Sequence, residues 1–245
     1  MAAHGVARGH RTHVPERERP AAMLIDPSAL ERRDVIDLVN GLVAPRPIAW
    51  VSTVDRLGVR NLAPFSFFNA FSTQPPTVAI GPGSRQGINK DSLRNIKDTR
   101  EFVLNVVSYE LAVRVNQTSA EFPPDVDEWD VAGVTPAPSD DVRPLGVAEA
   151  PAWLECRVHS IVDLGTEENP TNSIVVATVT RFHVRDEILD GYRVRPEMLD
   201  AVARMGRDLW CTSRDRFELP RPASADPADV RDSPPKPAAQ KVIQR

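Results

Sequence analysis

The sequence predicts a mainly β-fold, a barrel or a sandwich to which a few helices are added. Most apolar runs are short and rich in β-branched residues, and turn residues bound them, which is typical of strands. Several neighbouring runs are joined by tight turns, as in antiparallel hairpins. Helical spacing of apolar residues is confined to a few segments. Many strands with few helices are typical of barrels and sandwiches.

The first helix is predicted over residues 28–42. Asp26 is a suitable N-cap, and Pro27 suits the first helical position. Apolar residues then recur at helical spacing up to Leu42. Shorter helices are predicted from about residue 91, near 109–119 and near 196–203.

The clearest strand alternates apolar and polar residues. Leu154 and Cys156 alternate with Glu155, Arg157 and His159, so one face is expected to be buried and the other to face water. Its antiparallel partner follows across a turn at residues 167–170. The strands are predicted over 48–54, 59–63, 77–81, 102–107, 153–164 and 173–185.

The folded part is predicted to be one domain over residues 23–219. Residues 1–22 lack hydrophobic periodicity, and residues 220–245 contain six prolines and end in a polar sequence, so both tails are predicted to be disordered. A metal-binding tract in the N-terminal tail is an alternative, although its histidines match no common site by spacing: His4, His10 and His13.

Composition excludes several functions. Lys+Arg is 30 and Asp+Glu is 34, so the net charge of −4 argues against a nucleic-acid binder. No apolar run approaches the roughly 18 residues of a membrane helix. The cysteines, Cys156 and Cys211, are too few for a disulfide framework or a four-thiolate metal site, and a reduced, cytoplasmic location is expected. In the folded part, His159 and His183 are expected to be structural or surface residues, so no metal site is predicted.

Familiar catalytic motifs are missing from the sequence. It contains no G-x-G-x-x-G, no Walker loop and no G-x-S-x-G elbow. These absences argue against a Rossmann nucleotide domain and against a serine hydrolase. No catalytic side chain is therefore assigned.

A polar and aromatic strip, Asn61-Leu-Ala-Pro-Phe-Ser-Phe-Phe-Asn69, ends one of the predicted strands. Pro64 lacks an N–H, so this strand is expected at the edge of a sheet. Such a strip suits the face of a flat heteroaromatic ring. The alternative is that its phenylalanines and the next one are ordinary core residues: Phe65, Phe67, Phe68 and Phe71.

An anion site is predicted shortly after this strip. A glycine-rich turn over 81–87 leads into a helix start at Lys90-Asp-Ser-Leu-Arg-Asn-Ile96. Helix N-termini bind anions through unpaired N–H groups and the helix dipole. The turn and helix start add two cations and two hydroxyls: Arg85, Lys90, Ser84 and Ser92. The alternative is a capped helix with surface cations. Together, strip and anion site suggest a flat ring with a phosphate tail as ligand.

Residues 121–141 contain seven acidic residues and no basic ones. The segment is also rich in proline. It is expected to be a solvated surface excursion, and a binding lid is the alternative.

Several blocks of the sequence are familiar in this order. They are Arg46-Pro-Ile-Ala-Trp-Val-Ser-Thr53, the strip Asn61–Asn69, Pro75-Pro76, Lys90-Asp-Ser-Leu-Arg-Asn95, Phe102-Val-Leu-Asn-Val106, Glu121-Phe-Pro-Pro124, Glu149-Ala-Pro151, Leu154-Glu-Cys156 and Arg204-Met-Gly206. With these blocks the sequence resembles the flavin reductase-like family of FMN-binding split-barrel proteins. That family includes flavoredoxins and the reductase components of two-component monooxygenases. The resemblance covers roughly residues 25–219.

The resemblance implies a split β-barrel of Greek-key type with a few peripheral helices. It implies non-covalent FMN, and usually a homodimer with the flavin near the subunit interface. NAD(P)H would be the co-substrate, delivering hydride to flavin N5, and electrons would pass to free flavin, a partner oxygenase or another acceptor. By position, the resemblance implies these cofactor-binding residues: Arg46, Ser52, Thr53, Asn61, Ala63, Pro64, Phe65, Ser66, Phe68, Ser84, Arg85, Lys90, Ser92 and Asn95.

Different parts of the flavin are implied for these residues. Ser52 and Thr53 would lie beside the flavin, and the strip from Asn61 to Phe68 would contact the isoalloxazine and ribityl groups. The phosphate would be held by Ser84, Arg85, Lys90 and Ser92. Asn95 would support that turn, and Arg46 would contribute through the first strand.

The sequence departs from the family pattern in two places. Relatives often carry a glycine pair and then a tyrosine where this chain has Met205-Gly-Arg-Asp-Leu-Trp210. Arg207 and Trp210 are the changes. Trp210 is still able to stack on the flavin or to form a wall of its site. Ser92 stands where relatives often have threonine. Two functions without NAD(P)H turnover stay open: an FMN-binding electron carrier or sensor, and a flavin-free structural domain.

Overall fold

The computed structural model describes residues 22–85, 88–123, 126–166, 171–219, 221 and 236–237. The predicted disorder of the tails 1–22 and 220–245 falls almost entirely outside these residues. The predicted turn at 167–170 also lies outside them. No helix in the described ranges is long and apolar enough to cross a membrane.

The elements alternate many strands with short helices. The helices are α1 (Arg32–Leu42), α2 (Asp91–Thr99), α3 (Ala112–Gln117), α4 (Glu128–Ala132) and α5 (Pro196–Leu199), with 3₁₀ turns at Pro27–Ala29, Tyr109–Leu111 and Asp186–Ile188. The strands are β1 (Arg46–Pro47), β2 (Ala49–Val54), β3 (Arg60–Phe65), β4 (Phe68–Thr73), β5 (Pro76–Ile80), β6 (Ser84–Arg85), β7 (Ile88–Asn89), β8 (Glu101–Val106), β9 (Pro136–Ala137), β10 (Gly146–Val147), β11 (Ala152–Asp163), β12 (Ser173–Val184), β13 (Leu189–Asp190), β14 (Arg193–Val194), β15 (Val202–Arg204), β16 (Trp210–Thr212), β17 (Phe217–Glu218) and β18 (Lys236–Pro237).

One seven-stranded antiparallel sheet forms the body, in the order β3-β2-β8-β11-β12-β5-β4. Its two edge strands, β3 and β4, are consecutive in the chain and are joined through Ser66 and Phe67. The N–H of Gly81 donates to the carbonyl of Phe67 at 2.7 Å and continues the β4–β5 ladder into this corner. The sheet therefore curls so that β3 and β4 start from one corner, and no ladder joins these two edge strands in the described residues.

Two apolar clusters form the core. The first lies inside the curled sheet, receives side chains from all seven strands, and is closed by Leu93 and Ile96 of α2. The second contains Trp50 of β2 and Trp129 of α4, with β10 and β15 beside them. A small sheet in the order β1-β15-β16 flanks this second cluster.

The helix predictions are confirmed in part. Asp26 caps the 3₁₀ turn Pro27–Ala29 with its side chain, and α1 starts later than predicted, at Arg32. The helix predicted near 109–119 is a 3₁₀ turn followed by α3. The prediction for 196–203 is wrong after Leu199, where Asp200 takes a left-handed conformation (φ 44°) and the chain enters β15.

Residues 121–141 are predicted to be a solvated surface loop, and this prediction is wrong for residues 127–134. Asp127 caps α4, and Trp129 is almost fully buried in the second cluster. Arg60 of β3 pairs with Asp127 at 2.5 Å and with Asp130 at 3.3 Å. The acidic residues therefore fix this segment to β3.

Glu155 is wrongly predicted on the wet face of β11. Its side chain is fully buried, because residues 140–142 fold over it and donate three backbone N–H bonds at 2.7, 2.6 and 3.2 Å. His183, stacked on Trp153, lies 2.6 Å from the same carboxylate. Burial raises the pKa of Glu155, but the hydrogen bonds outweigh it and the pKa lies below its ordinary value.

Glu155→Gln is expected to lower the free energy of unfolding by about 2 kcal/mol at pH 7, because several charge-assisted hydrogen bonds are lost. Since the folded-state pKa lies below the unfolded one, this contribution is present above about pH 4.3 and is lost as the pH falls further. Urea denaturation between pH 3 and 7 measures both effects. The exposed Glu110→Gln is the control. If the stability difference between Glu155→Gln and the wild type stays the same in acid, this account of Glu155 is contradicted.

Candidate functional site

Two adjoining cavities run along β3 and the N-terminus of α2, and together they are called the Lys90 groove here. Their volumes are about 590 Å³ and about 430 Å³. Pro64, Phe65, Lys90 and Glu121 line both of them. Openings of this size are typical of small-molecule and cofactor sites.

One wall of the groove is the edge strand β3. Asn61, Ala63 and Phe65 point to the same side because side chains alternate along a strand. Pro64 lies opposite Trp50 of β2 in the ladder. Because β3 is an edge strand, the lack of an N–H at Pro64 is tolerated there. The predicted edge position of this strip is therefore confirmed.

The phenylalanines divide between core and surface. Phe65 and Phe68 pack in the first apolar cluster, and Phe65 also reaches the groove. Phe67 and Phe71 are exposed, so the alternative that all four are core residues is wrong.

The opposite wall is the N-terminus of α2. The first helical bond runs from the N–H of Arg94 to the carbonyl of Lys90 at 3.0 Å, so the N–H groups of residues 91–93 have no partner within the helix. Lys90 occupies the N-cap without a side-chain cap bond. Asp91 in the first turn pairs with Arg94 at 2.7 Å, which offsets its negative charge. The helix therefore presents N–H groups and an ammonium to the groove.

A buried polar layer lies beneath this helix. Asn61 donates from Nδ2 to Ser92 Oγ at 2.8 Å, and Asn95 donates from Nδ2 to Thr53 Oγ1 at 3.1 Å. The Ser52 hydroxyl and Asn95 Oδ1 are buried with no hydrogen-bond partner. The layer ties α2 to β2 and β3 and so fixes where the helix N-terminus points.

The structure brings eight of the predicted site residues to the Lys90 groove, and these are Asn61, Ala63, Pro64, Phe65, Ser66, Ser84, Lys90 and Ser92. Ser52 and Thr53 have no exposed surface, and Phe68 packs into the core, so none of these three lines it. Asn95 belongs to the layer below. The side chain of Arg85 lies outside the described part of the chain.

Arg46 is buried away from the groove and connects three segments. Its guanidinium donates to the carbonyls of Asn40 and Val43 at the end of α1, at 2.5 and 2.7 Å, and to that of Met205 at 2.9 Å. Its Nε lies 3.4 Å from Ser66 Oγ. Arg46 therefore acts on the groove indirectly, through Ser66 and Asn40, which both line it.

Sequence reasoning did not find an acidic cavity of about 460 Å³ that continues the groove past Asn61. Asp91, Asp127 and Glu128 line it together with Arg60 and Arg94. Burial raises the pKa of Glu128, the hydrogen bond from the Leu62 N–H opposes this, and the charge of Asp127 adds to it. The signal in the sequence was Trp129, an apolar residue inside an acidic run that only burial explains.

Comparisons with known proteins agree with this geometry. The sequence profile of the flavin reductase like domain matches residues 42–199. The structure is similar to component B of nitrilotriacetate monooxygenase from Bacillus cereus, at 31% identity and a TM-score of 0.79, over 82% of this chain and all of that one. It is also similar to 2-nitrobenzoate 2-nitroreductase from Pseudomonas fluorescens, at 29% identity and a TM-score of 0.74, over 83% of this chain and all of that one. A split-barrel protein from Shewanella frigidimarina (22% identity, TM-score 0.71, covering 82% and 100%) shares the fold, which confirms the predicted split barrel.

Proposed function

The chain belongs to the flavin reductase-like family and is a flavin-related oxidoreductase, and we propose that it binds FMN in the Lys90 groove and reduces it with NAD(P)H. One observation carries this proposal. The strip Ala63–Phe65 and the N-terminus of α2 face one continuous space, so a flat ring and a phosphate can be held together.

The residues present fit FMN. Phosphate requires cations and N–H donors, which Lys90 and the first turn of α2 supply. The flavin ring requires an apolar face, which Ala63, Pro64 and Phe65 supply. Bound FMN would supply the redox chemistry, taking up a hydride and passing electrons on.

The chain's own residues would position the bound flavin and shield it from water. The buried layer under α2 holds the N–H groups of the first helical turn in place even without a ligand. Little reorganisation is therefore needed when the phosphate binds. Phe65 also packs in the first apolar cluster, which fixes the position of the strip. No described side chain is required as a general acid or base.

We extend the proposal to the electron acceptor, as free flavin or an oxygenase. Component B of nitrilotriacetate monooxygenase, a structural relative at 31% identity, supports the oxygenase partner. The nitroreductase relative supports an alternative, in which the same reduced flavin passes its electrons to a nitroaromatic compound.

Lys90→Gln is expected to weaken FMN binding by at least about tenfold and riboflavin binding by less than about threefold, because only FMN carries the phosphate. Flavin fluorescence titration measures both affinities. Lys97→Gln is the matched control, since Lys97 lies on the same helix but pairs with Asp163 at 3.0 Å. Equal losses for the two flavins would contradict the phosphate site.

An absorption spectrum tests the activity. The protein loaded with FMN is mixed with NADH or NADPH without oxygen, and the flavin absorption is expected to bleach with at least one donor. A spectrum that persists with both donors would make the chain an electron carrier or sensor instead. A protein that takes up no FMN would contradict the proposal as a whole.

We also propose a homodimer that uses the free edge of β4. This strand ends the sheet, its residues from Asn69 to Thr73 are exposed, and the side chain of Phe71 is 70% exposed. An exposed edge strand with an aromatic side chain favours pairing with another chain.

Phe71→Glu is expected to convert this dimer to a monomer, because a carboxylate would be buried without a partner. Sedimentation equilibrium measures the mass. Leu57→Glu, at an exposed position in the β2–β3 turn, is the control and is expected to remain dimeric. A monomeric wild type, or a dimeric Phe71→Glu, would contradict this interface.

A further inference from the structure

A separate small cavity adjoins the Lys90 groove at Pro64 and Ser66, and it is called the Trp210 cavity here. Its volume is about 190 Å³. Ile48, Pro64 and Trp210 form apolar walls, and two serines and an asparagine add polar groups. Arg204 is its one charged lining residue among those described.

The charge around this cavity is positive and uncompensated. Arg204 and the nearby Arg46 form no ion pair with any carboxylate in the described ranges. Only 6% of Arg46 is exposed, and its hydrogen bonds go to neutral oxygens, one of them Ser66 Oγ on the cavity wall. Burial lowers the pKa of Arg46, and the charge of Arg204 lowers it further. Buried charge without a counter-charge is unfavourable, so this site favours an anionic ligand.

The aromatic wall is held in place. Arg204 and Trp210 are opposite each other in the β15–β16 pair, and the Arg204 guanidinium lies 5.1 Å from the centre of the indole ring. Arg204 also donates to the carbonyl of Arg207 at 2.5 Å. Arg207 in turn pairs with Asp37 of α1 at 2.6 Å. The wall is therefore tied to the body of the protein on both sides.

The size and the walls select the kind of ligand. A dry cavity of about 150 Å³ lined by apolar side chains is large enough for benzene, so the Trp210 cavity suits one six-membered ring. The guanidinium of Arg204 offers a planar pair of donors that matches a carboxylate. We propose that the Trp210 cavity binds a single aromatic ring that carries a carboxylate, with the ring against Trp210 and the carboxylate at Arg204.

This binding involves no bond making or redox step. It depends on the proposed function only in that the ring would lie next to the flavin groove, at Pro64. Aromatic acids would then be the ligand class of the second site beside the cofactor.

Isothermal titration calorimetry with benzoate, benzamide and inorganic phosphate tests the proposal on the full-length protein. Benzoate is expected to bind with a Kd of about 1 mM or tighter. Trp210→Ala is expected to weaken benzoate at least about tenfold, and Trp210→Phe less, since a ring remains. Arg204→Gln is expected to weaken benzoate at least about tenfold while changing benzamide less than about threefold. Leu209→Ala, exposed in the same turn, is expected to change neither.

Three results would overturn the proposal. These are no benzoate binding to the wild type, equal benzoate affinity in Arg204→Gln, and phosphate binding as tight as benzoate. Should Trp210→Ala not fold, Trp210→Phe and Arg204→Gln decide the outcome. FMN affinity is measured on the same samples. A wild-type protein that binds FMN but not benzoate overturns this inference alone, whereas a wild-type protein that fails to bind FMN counts against the proposed function.

Discussion

The corner between β3 and β4 is the constraint on which the rest of the structure depends. There the chain passes from one edge of the sheet to the other, held by the bond from the Gly81 N–H to the Phe67 carbonyl. The approach is so close that a Cβ at Gly81 would lie 2.8 Å from Phe67 Cβ, so a side chain at this position would force the two segments apart. This corner places the strip of β3 against the turn that follows β5, and both line one cavity. Without it, the two walls of the proposed flavin site would lie at opposite ends of the sheet.

Charge divides the surroundings of the groove into distinct regions. The ammonium of Lys90 and the N-terminus of α2 provide positive potential, whereas Glu121 and Glu128 line the same space. The proposed phosphate is therefore expected at the helix N-terminus, and hydroxyl groups of a ligand suit the carboxylates of Glu121 and Glu128. On the far side of Pro64, the guanidiniums of Arg46 and Arg204 lie together without carboxylates. The two proposed sites therefore differ in the charge of the side chains that line them.

The sequence predicts local features of this structure well, and non-local ones poorly. Six of the seven strands of the main sheet, the edge position of Pro64 and the helix start after Lys90 follow from spacing, proline chemistry and turn residues, whereas β4 is not predicted. Alternation also predicts that Glu155 faces away from the apolar set, but it is silent about a distant loop that then buries the residue. The same limit applies to Trp129, whose burial depends on Arg60 and on β3. The contribution of Ser52 and Thr53 could not be judged from their motif, because they are buried by β8 and α2, which lie far from β2 in the sequence.

The C-terminal departure from the family pattern has a physical explanation. Arg207 stands where relatives often carry glycine and still takes a left-handed backbone conformation, at φ 51°. A non-glycine residue in this conformation costs about 1 kcal/mol. The hydrogen-bonded pair with Asp37 offsets part of that cost and fixes the turn to α1. Trp210 follows in β16 and lines the Trp210 cavity. The two changes therefore lie side by side: Arg207 joins the turn to α1, and Trp210 forms the aromatic wall next to it.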